Sequence, residues 1–215
     1  MKKQLFLILI SIAFIHSGTR VVAGYGMSTA SFEDEPEGVD ISYSGALNFG
    51  VEQVSSTGGI TGIEYVSRGF KMEQEESYYD WYYGDVTAKM EADFVVNYLG
   101  AYYLHNLSQS NVPGSISMMV GAEIGYFWEG EMSVTAEMSG GGYNYSDSYS
   151  SEIDGDDWED MDGDMIDAGI LVGASYNVNP QLSIRATYYY GLTEPNEDFI
   201  TNWSTINVAA AYAIN

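Results

Sequence analysis

The chain has 215 residues, with 31 acidic and seven basic side chains and a formal net charge of −24 at pH 7. This charge excludes binding to a nucleic-acid backbone, which requires the opposite sign, and a sequence without cysteine excludes a disulfide framework. The length fits one domain, and 19 tyrosines and 24 glycines against four prolines favour β structure over disorder.

The first 23 residues predict a cleaved export signal. Met1–Lys3 is basic, Leu5–Ile15 is apolar, and Val21–Ala23 is a cleavage site of small residues. The apolar run is shorter than the ~20 residues that a membrane-spanning helix needs. The alternative is a buried helix of the core. We therefore expect a signal peptide over residues 1–23 and one domain over residues 24–215.

Period-two alternation predicts eight strands in the rest of the chain. It is clearest in the second half. The predicted strands are Gly24–Phe32, Ile41–Glu52, Ile60–Phe70, Phe94–His105, Ile116–Val134, Ile166–Val178, Leu182–Thr193 and Ser204–Asn215.

The two faces of these strands differ in composition. One face is apolar, whereas the other is mostly Gly, Ala, Ser, Thr and Asn, as suits the inside of a narrow barrel. A soluble sandwich or lipocalin, which is the alternative, would place its apolar face inward. The apolar face also carries aromatic residues near its ends, as an interfacial girdle does. These are Tyr126, Trp128, Tyr176, Tyr188, Tyr190 and Tyr212.

The connections between the predicted strands alternate between two kinds. Three are of modest length and nearly free of acidic residues: 53–59, 106–114 and 177–181. The other four are acidic: 33–40, 71–85, 130–164 and 193–198. With both termini in the periplasm, all four acidic connections are extracellular loops. The predicted fold is an all-β, eight-stranded antiparallel up-and-down transmembrane barrel in the bacterial outer membrane.

Four charged residues fall on the inward face of the predicted strands: Glu64, Arg68, Glu123 and Arg185. Side chains fill a barrel of eight strands, so we expect these groups to pair and plug the lumen. A conducting pore is the alternative.

Four segments make the chain resemble the small outer-membrane barrels of the OmpA-like and PorT-like β-barrel type. The segments are "IEYVSRGFK" at Ile63–Lys71, "VNYLGAYYL" at Val96–Leu104, "DAGILVGASYNV" at Asp167–Val178 and "LSIRATYYYGLT" at Leu182–Thr193. The resemblance implies contact with outer-membrane lipid, insertion by the barrel-assembly machinery and a monomer. It departs at the last residue, Asn215, where such barrels usually end in an aromatic residue.

The run "DGDDWEDMDGDMID" places carboxylates at every second residue around a glycine, a pattern in which hard cations such as Ca²⁺ find oxygen ligands. The candidate calcium ligands are Asp160, Asp162, Asp164 and Asp167. The spacing does not match an EF-hand. The alternative is a solvated acidic loop, which we favour.

We expect no catalytic residue and no cofactor, calcium apart. His105 falls at a periplasmic strand end without an evident partner, which indicates an interfacial or turn residue. Two functions remain open: a structural or interaction barrel with Tyr-rich acidic loops and an extracellular ligand that the sequence does not identify, or a small-solute porin or component that assists transport or secretion.

Overall fold

The computed structural model describes residues 18–33, 38–108, 112–196 and 200–214. Within these ranges the chain forms nine strands and one short helix. The strands are β1 (Thr19–Phe32), β2 (Val39–Val54), β3 (Ile60–Asp80), β4 (Gly84–Asn106), β5 (Ile116–Gly140), β6 (Tyr143–Ile153), β7 (Ile166–Asn177), β8 (Leu182–Gly191) and β9 (Ile200–Ala213). The helix, α1 (Gly155–Asp160), lies between β6 and β7.

Eight of the strands close into a ring. All of the pairings are antiparallel, and the ring closes because β1 pairs with β9 and β4 pairs with β5. β7 pairs with the first part of β5, Ile116–Tyr126, whereas β6 pairs with its last part, Gly130–Gly140, outside the ring. The predicted eight-stranded antiparallel up-and-down barrel is therefore confirmed.

The side chains point as the alternation predicts. Along β9, Ile206, Val208 and Tyr212 are more than half exposed, whereas Thr205 and Ala211 are buried. The same order holds over most of the ring, so large apolar side chains cover the outside of the barrel. Small and polar side chains line the lumen together with a buried apolar cluster that includes Val66, Leu104 and Trp203. Outward residues on the other strands include Tyr25, Met27, Leu47, Phe49, Tyr103, Ile124, Tyr126, Ile170, Val172, Tyr176, Ile184, Tyr188 and Tyr190.

Two of the predicted acidic loops are regular structure instead. β3 and β4 continue past the barrel wall and meet at a turn of residues 81–83, and β5 and β6 form a second hairpin beside them. We call residues 71–93 and 130–153 the hairpin extension, and the barrel end that carries it the hairpin end. The opposite, short-turn end carries the turns at residues 55–59 and 178–181, and β4 ends and β5 begins there. Both faces of the extension are largely solvated, so its strands have no apolar face. The predicted strands end too early because the prediction depends on such a face.

Local turn chemistry shapes both hairpins. Gly141 and Gly142 have φ angles of 54° and 81°, as a two-residue type I′ turn requires at both central positions. In the other hairpin Asp80 Oδ1 accepts hydrogen bonds from the backbone N–H groups of Tyr82 and Tyr83 at 2.7 and 2.9 Å. These turns pair the strands in register over their full length.

The predicted signal peptide falls mostly outside the described residues, since residues 1–17 are not among them. Thr19–Ala23, which the sequence assigns to the signal, form the start of β1 and pair with both β2 and β9. In the described ranges, no helix has the length and apolar composition to cross a membrane.

Candidate functional site: the lumen and the hairpin extension

A charged layer crosses the middle of the lumen, with Arg68 of β3 at its centre. Its Nη2 atom donates a hydrogen bond to Glu123 Oε1 at 2.5 Å, and its Nη1 atom lies 2.8 Å from Asp167 Oδ2. The guanidinium carbon stands 3.8 Å from the ring centroid of Tyr189. All four residues are buried, so the ion pairs span the lumen between β3, β5 and β7.

A second arginine organises the layer nearer the short-turn end. Arg185 Nη1 donates to Glu52 Oε2 at 2.8 Å, and its Nη2 donates to the Tyr102 hydroxyl at 3.1 Å. That hydroxyl in turn donates to Glu52 Oε2 at 2.8 Å. Arg20 approaches the other oxygen of Glu52 at 3.9 Å. This triad ties β2, β4 and β8 together across the barrel.

The four lumen charges named from the sequence are all buried inside the ring. Among them Arg68 and Glu123 pair directly, whereas Glu64 accepts a hydrogen bond from Asn48 Nδ2 at 2.9 Å. The partner of Arg185 is Glu52, which is not among the four lumen charges predicted from the sequence. Glu52 shares the inward parity of Asn48 in β2, so extending the alternation to the end of that strand would have placed it in the lumen.

An aromatic layer closes the lumen at the hairpin end, and Trp158 of α1 is its centre. The Trp158 side chain is fully buried. Its ring stacks on Phe127 with centroids 5.1 Å apart and an interplanar angle of 1°, and it lies 6.0 Å from Phe94. Its Nε1 atom donates to the backbone carbonyl of Asp164 at 2.9 Å. Beneath it, Trp203 Nε1 donates to the Tyr98 hydroxyl at 3.3 Å. A single helical turn thus inserts an indole into the barrel mouth.

The acidic residues around Trp158 explain why that turn is helical. Asp154 is the N-cap, and its carboxylate accepts from the backbone N–H groups of Asp156 and Asp157 at 2.9 and 3.1 Å. The Asp157 carboxylate reaches back to the Asp154 N–H, completing a capping box. Carboxylates at a helix start also satisfy the partial positive charge there. The turn that follows packs Gly163 against the Trp158 indole, where a Cβ would overlap the ring.

The structure does not bring the four candidate calcium ligands together. Asp160 ends α1, Asp162 lies in the turn after it with φ 56°, and Asp164 precedes β7. Asp167 is fully buried in the lumen, where its carboxylate accepts from Tyr189 and Thr193 at 2.7 Å each in addition to its ion pair with Arg68. Asp167 is therefore a lumen residue, because its place one residue into β7 turns it inward. Throughout the described part of the chain, no group of three or more His, Asp or Glu side chains is arranged to hold a metal ion.

The hairpin extension carries most of the remaining charge. Lys89 Nζ lies 2.9 Å from Glu73 and 2.5 Å from Glu91, and Lys71 lies 3.3 Å from Asp93. The hydrogen bonds that Lys89 donates to Glu91 and Glu73 raise the pKa of Lys89, and the one that Glu91 accepts lowers the pKa of Glu91. The two lysines of this surface are thus both engaged by carboxylates.

The outer tip of the extension is aromatic and exposed. Trp81 is 86% exposed and Tyr82 is 70% exposed. Tyr83 follows them in the same turn, and Tyr143 joins them from the start of β6. Ring centroids are 5.7 Å apart for Trp81 and Tyr82, 4.8 Å for Tyr82 and Tyr83, and 5.7 Å for Tyr83 and Tyr143. We call these four residues the aromatic tip.

His105 lies at the other end of the molecule. It is exposed on the outward face of β4 near the short-turn end, and its Nδ1 atom is 3.4 Å from the Tyr103 hydroxyl. The sequence predicts an interfacial or turn residue at this position.

Several solved structures are similar to this chain. The Neisserial surface protein NspA has 14% identity, with 92% of this chain and 98% of that chain covered and a TM-score of 0.47. The attachment invasion locus protein Ail of Yersinia pestis, crystallised with the heparin analogue sucrose octasulfate, has 15% identity, 93% and 100% coverage and a TM-score of 0.42. The outer membrane protein OprG of Pseudomonas aeruginosa has 9% identity, 92% and 94% coverage and a TM-score of 0.35. No protein-family model matches the chain, and no curated protein matches its sequence.

Proposed function

We propose that this protein is a non-enzymatic barrel of the bacterial outer membrane, with a closed lumen and a surface role carried by its hairpin extension. The support for a membrane location is the outside of the barrel. Side chains such as Leu47, Ile124 and Val208 stand exposed around the ring. An apolar belt of this size is favourable in lipid and costly in water.

The observation that carries the closed lumen is the pair of layers inside the ring. The Arg68 and Arg185 ion pairs fill the middle, and Trp158 fills the mouth. A barrel of eight strands is just wide enough for side chains to fill it. A porin needs a water-filled path through the same space, so we assign the barrel no solute transport.

The support for a surface role is the size and composition of the hairpin extension. β3, β4 and β5 run well past the apolar belt, and β6 adds a fourth strand that serves the extension alone. The short turns and both ends of the described ring lie at one end of the barrel. Outer-membrane barrels have short turns on the periplasmic side, so the hairpin end faces outward. We expect a monomer that contacts lipid and is inserted by the barrel-assembly machinery.

Fractionation and conductance test this proposal. We expect the mature protein in the outer-membrane fraction, with faster migration on a gel when unboiled, because a closed barrel satisfies its own backbone hydrogen bonds. In planar bilayers we expect no conductance. Recovery as a soluble protein would contradict the location. Steady ion conductance would favour the alternative, a small-solute porin or a component that assists transport or secretion.

A further inference from the structure

The aromatic tip is exposed to solvent, so packing within the fold does not explain its large aromatic side chains. Trp81 and Tyr82 are largely solvated in the turn that joins β3 to β4. Large exposed apolar groups at one spot mark interaction sites in soluble surfaces. The two turns that carry the tip are held together, because the Gly141 backbone packs directly against the Tyr83 carbonyl. The rings are therefore mounted on a joined pair of hairpins.

The ring orientations indicate what kind of group the tip contacts. The planes of Trp81 and Tyr82 meet at 72°, and those of Tyr82 and Tyr83 meet at 82°. Trp81, Tyr82 and Tyr83 therefore turn their faces in different directions and make no flat platform for a sugar ring, whereas the planes of Tyr83 and Tyr143 meet at 35°. Separate aromatic faces each attract a cation through the negative potential of the ring.

The charge around the aromatic tip is negative, which favours a cationic ligand. Asp80 and Asp85 flank the β3–β4 turn, and Glu75 and Glu76 precede it on β3. The nearest lysine along β4, Lys89, is already paired with carboxylates. With a net charge of −24 the whole chain attracts cations and repels anions.

We propose that the aromatic tip binds an extended polycationic segment of a partner protein through arginine side chains. The planar guanidinium group stacks on aromatic faces, whereas the lysine ammonium is a hydrated point charge. The flanking carboxylates of Asp80 and Asp85 attract the segment, and Trp81 and Tyr82 contact its side chains individually. This inference rests on the proposed surface role of the hairpin extension.

Calorimetry on the protein folded in detergent micelles tests the assignment. The probes are an oligo-arginine peptide, an oligo-lysine peptide of equal length and a neutral oligosaccharide. The variant is Trp81→Ala combined with Tyr82→Ala. The matched control is Tyr149→Ala, a 64% exposed tyrosine of the same extension but outside the tip.

We expect oligo-arginine at physiological salt to bind about tenfold more weakly to the double variant, since two cation–π contacts at exposed sites are lost. We expect Tyr149→Ala to bind as the unaltered protein does, and oligo-lysine to bind more weakly than oligo-arginine. Equal affinities for the two peptides, an undiminished affinity in the double variant, or binding of the oligosaccharide alone would each overturn the proposal. The unboiled gel shift of the same samples separates this failure from a failure of the barrel itself.

Discussion

Replacing Arg68 with alanine tests whether the lumen is a packed interior. The guanidinium group holds the carboxylates of Glu123 and Asp167, which are 5% and 0% exposed. Removing it leaves two buried negative charges without their cation and removes the contact with the Tyr189 ring. Breaking a buried ion pair by deleting one partner costs about 3–5 kcal/mol.

Urea unfolding of the barrel in micelles measures this cost. Tryptophan fluorescence is a suitable signal because Trp158 and Trp203 are both buried in the lumen. With a slope of roughly 1–3 kcal/mol per molar urea, the expected loss moves the midpoint down by about 1–5 M. Arg185→Ala should lower the midpoint in the same way, since it removes the cation that pairs with buried Glu52.

Two controls make the result interpretable. Lys89→Ala removes an exposed cation with two carboxylate partners, and we expect its midpoint to stay close to that of the unaltered protein because solvent screens surface pairs. Adding Glu123→Gln and Asp167→Asn to Arg68→Ala should restore much of the stability, since the stranded charges are then gone. Equal midpoints for Arg68→Ala and Lys89→Ala would refute a packed, charged lumen.

Four further outcomes are expected. Trp158→Ala should lower the unfolding free energy by about 3–5 kcal/mol. It should still give no conductance in planar bilayers, because the Arg68 and Arg185 ion pairs continue to close the lumen; open channels would show that these ion pairs do not close it. Glu91 should titrate below the ordinary glutamate value of about 4.3, so its pair with Lys89 persists at neutral pH and is lost as the pH falls through the lowered pKa; in Lys89→Gln an NMR titration should show that pKa rise. The intact mass of the mature protein should show a start before Thr19, since a cut after residue 23 removes five paired residues of β1. Calcium should give only a weak, salt-screened heat, and a saturable heat that disappears when three residues are changed to asparagine would establish a site instead. Those three residues are Asp160, Asp162 and Asp164.

The sequence predicts the barrel wall well because the lumen imposes a strict rule on it. In β8 the inward positions include Ser183, Arg185 and Tyr189, all of which are buried, whereas Ile184 and Tyr188 face outward. A narrow interior accepts only small side chains or large ones that find partners. Lipid accepts only apolar ones. Period two therefore appears wherever a strand separates the two environments.

The partners inside the lumen could not be predicted in the same way. Arg185 and Glu52 lie 133 positions apart in the chain and meet across the barrel. Parity tells which face a residue takes, but the height of each residue depends on the stagger of all the intervening strands. The same limitation applies to the ion pair between Arg68 and Asp167, because its neighbours in the sequence make Asp167 a candidate calcium ligand together with Asp160, Asp162 and Asp164.

The acidic stretch before β7 joins a charged run directly to an apolar strand because the chain changes environment there within a few residues. Asp154 and Asp157 cap a single helical turn, and that turn presents Trp158 to the mouth of the barrel. The tight turn at Asp162 and Gly163 then returns the chain to the wall, with the Asp164 N–H bonded to the Pro195 carbonyl. Carboxylates are suited to this route because they cap the helix where they are needed and stay solvated elsewhere. The acidic residues of this segment therefore hold Trp158 in the mouth of the barrel.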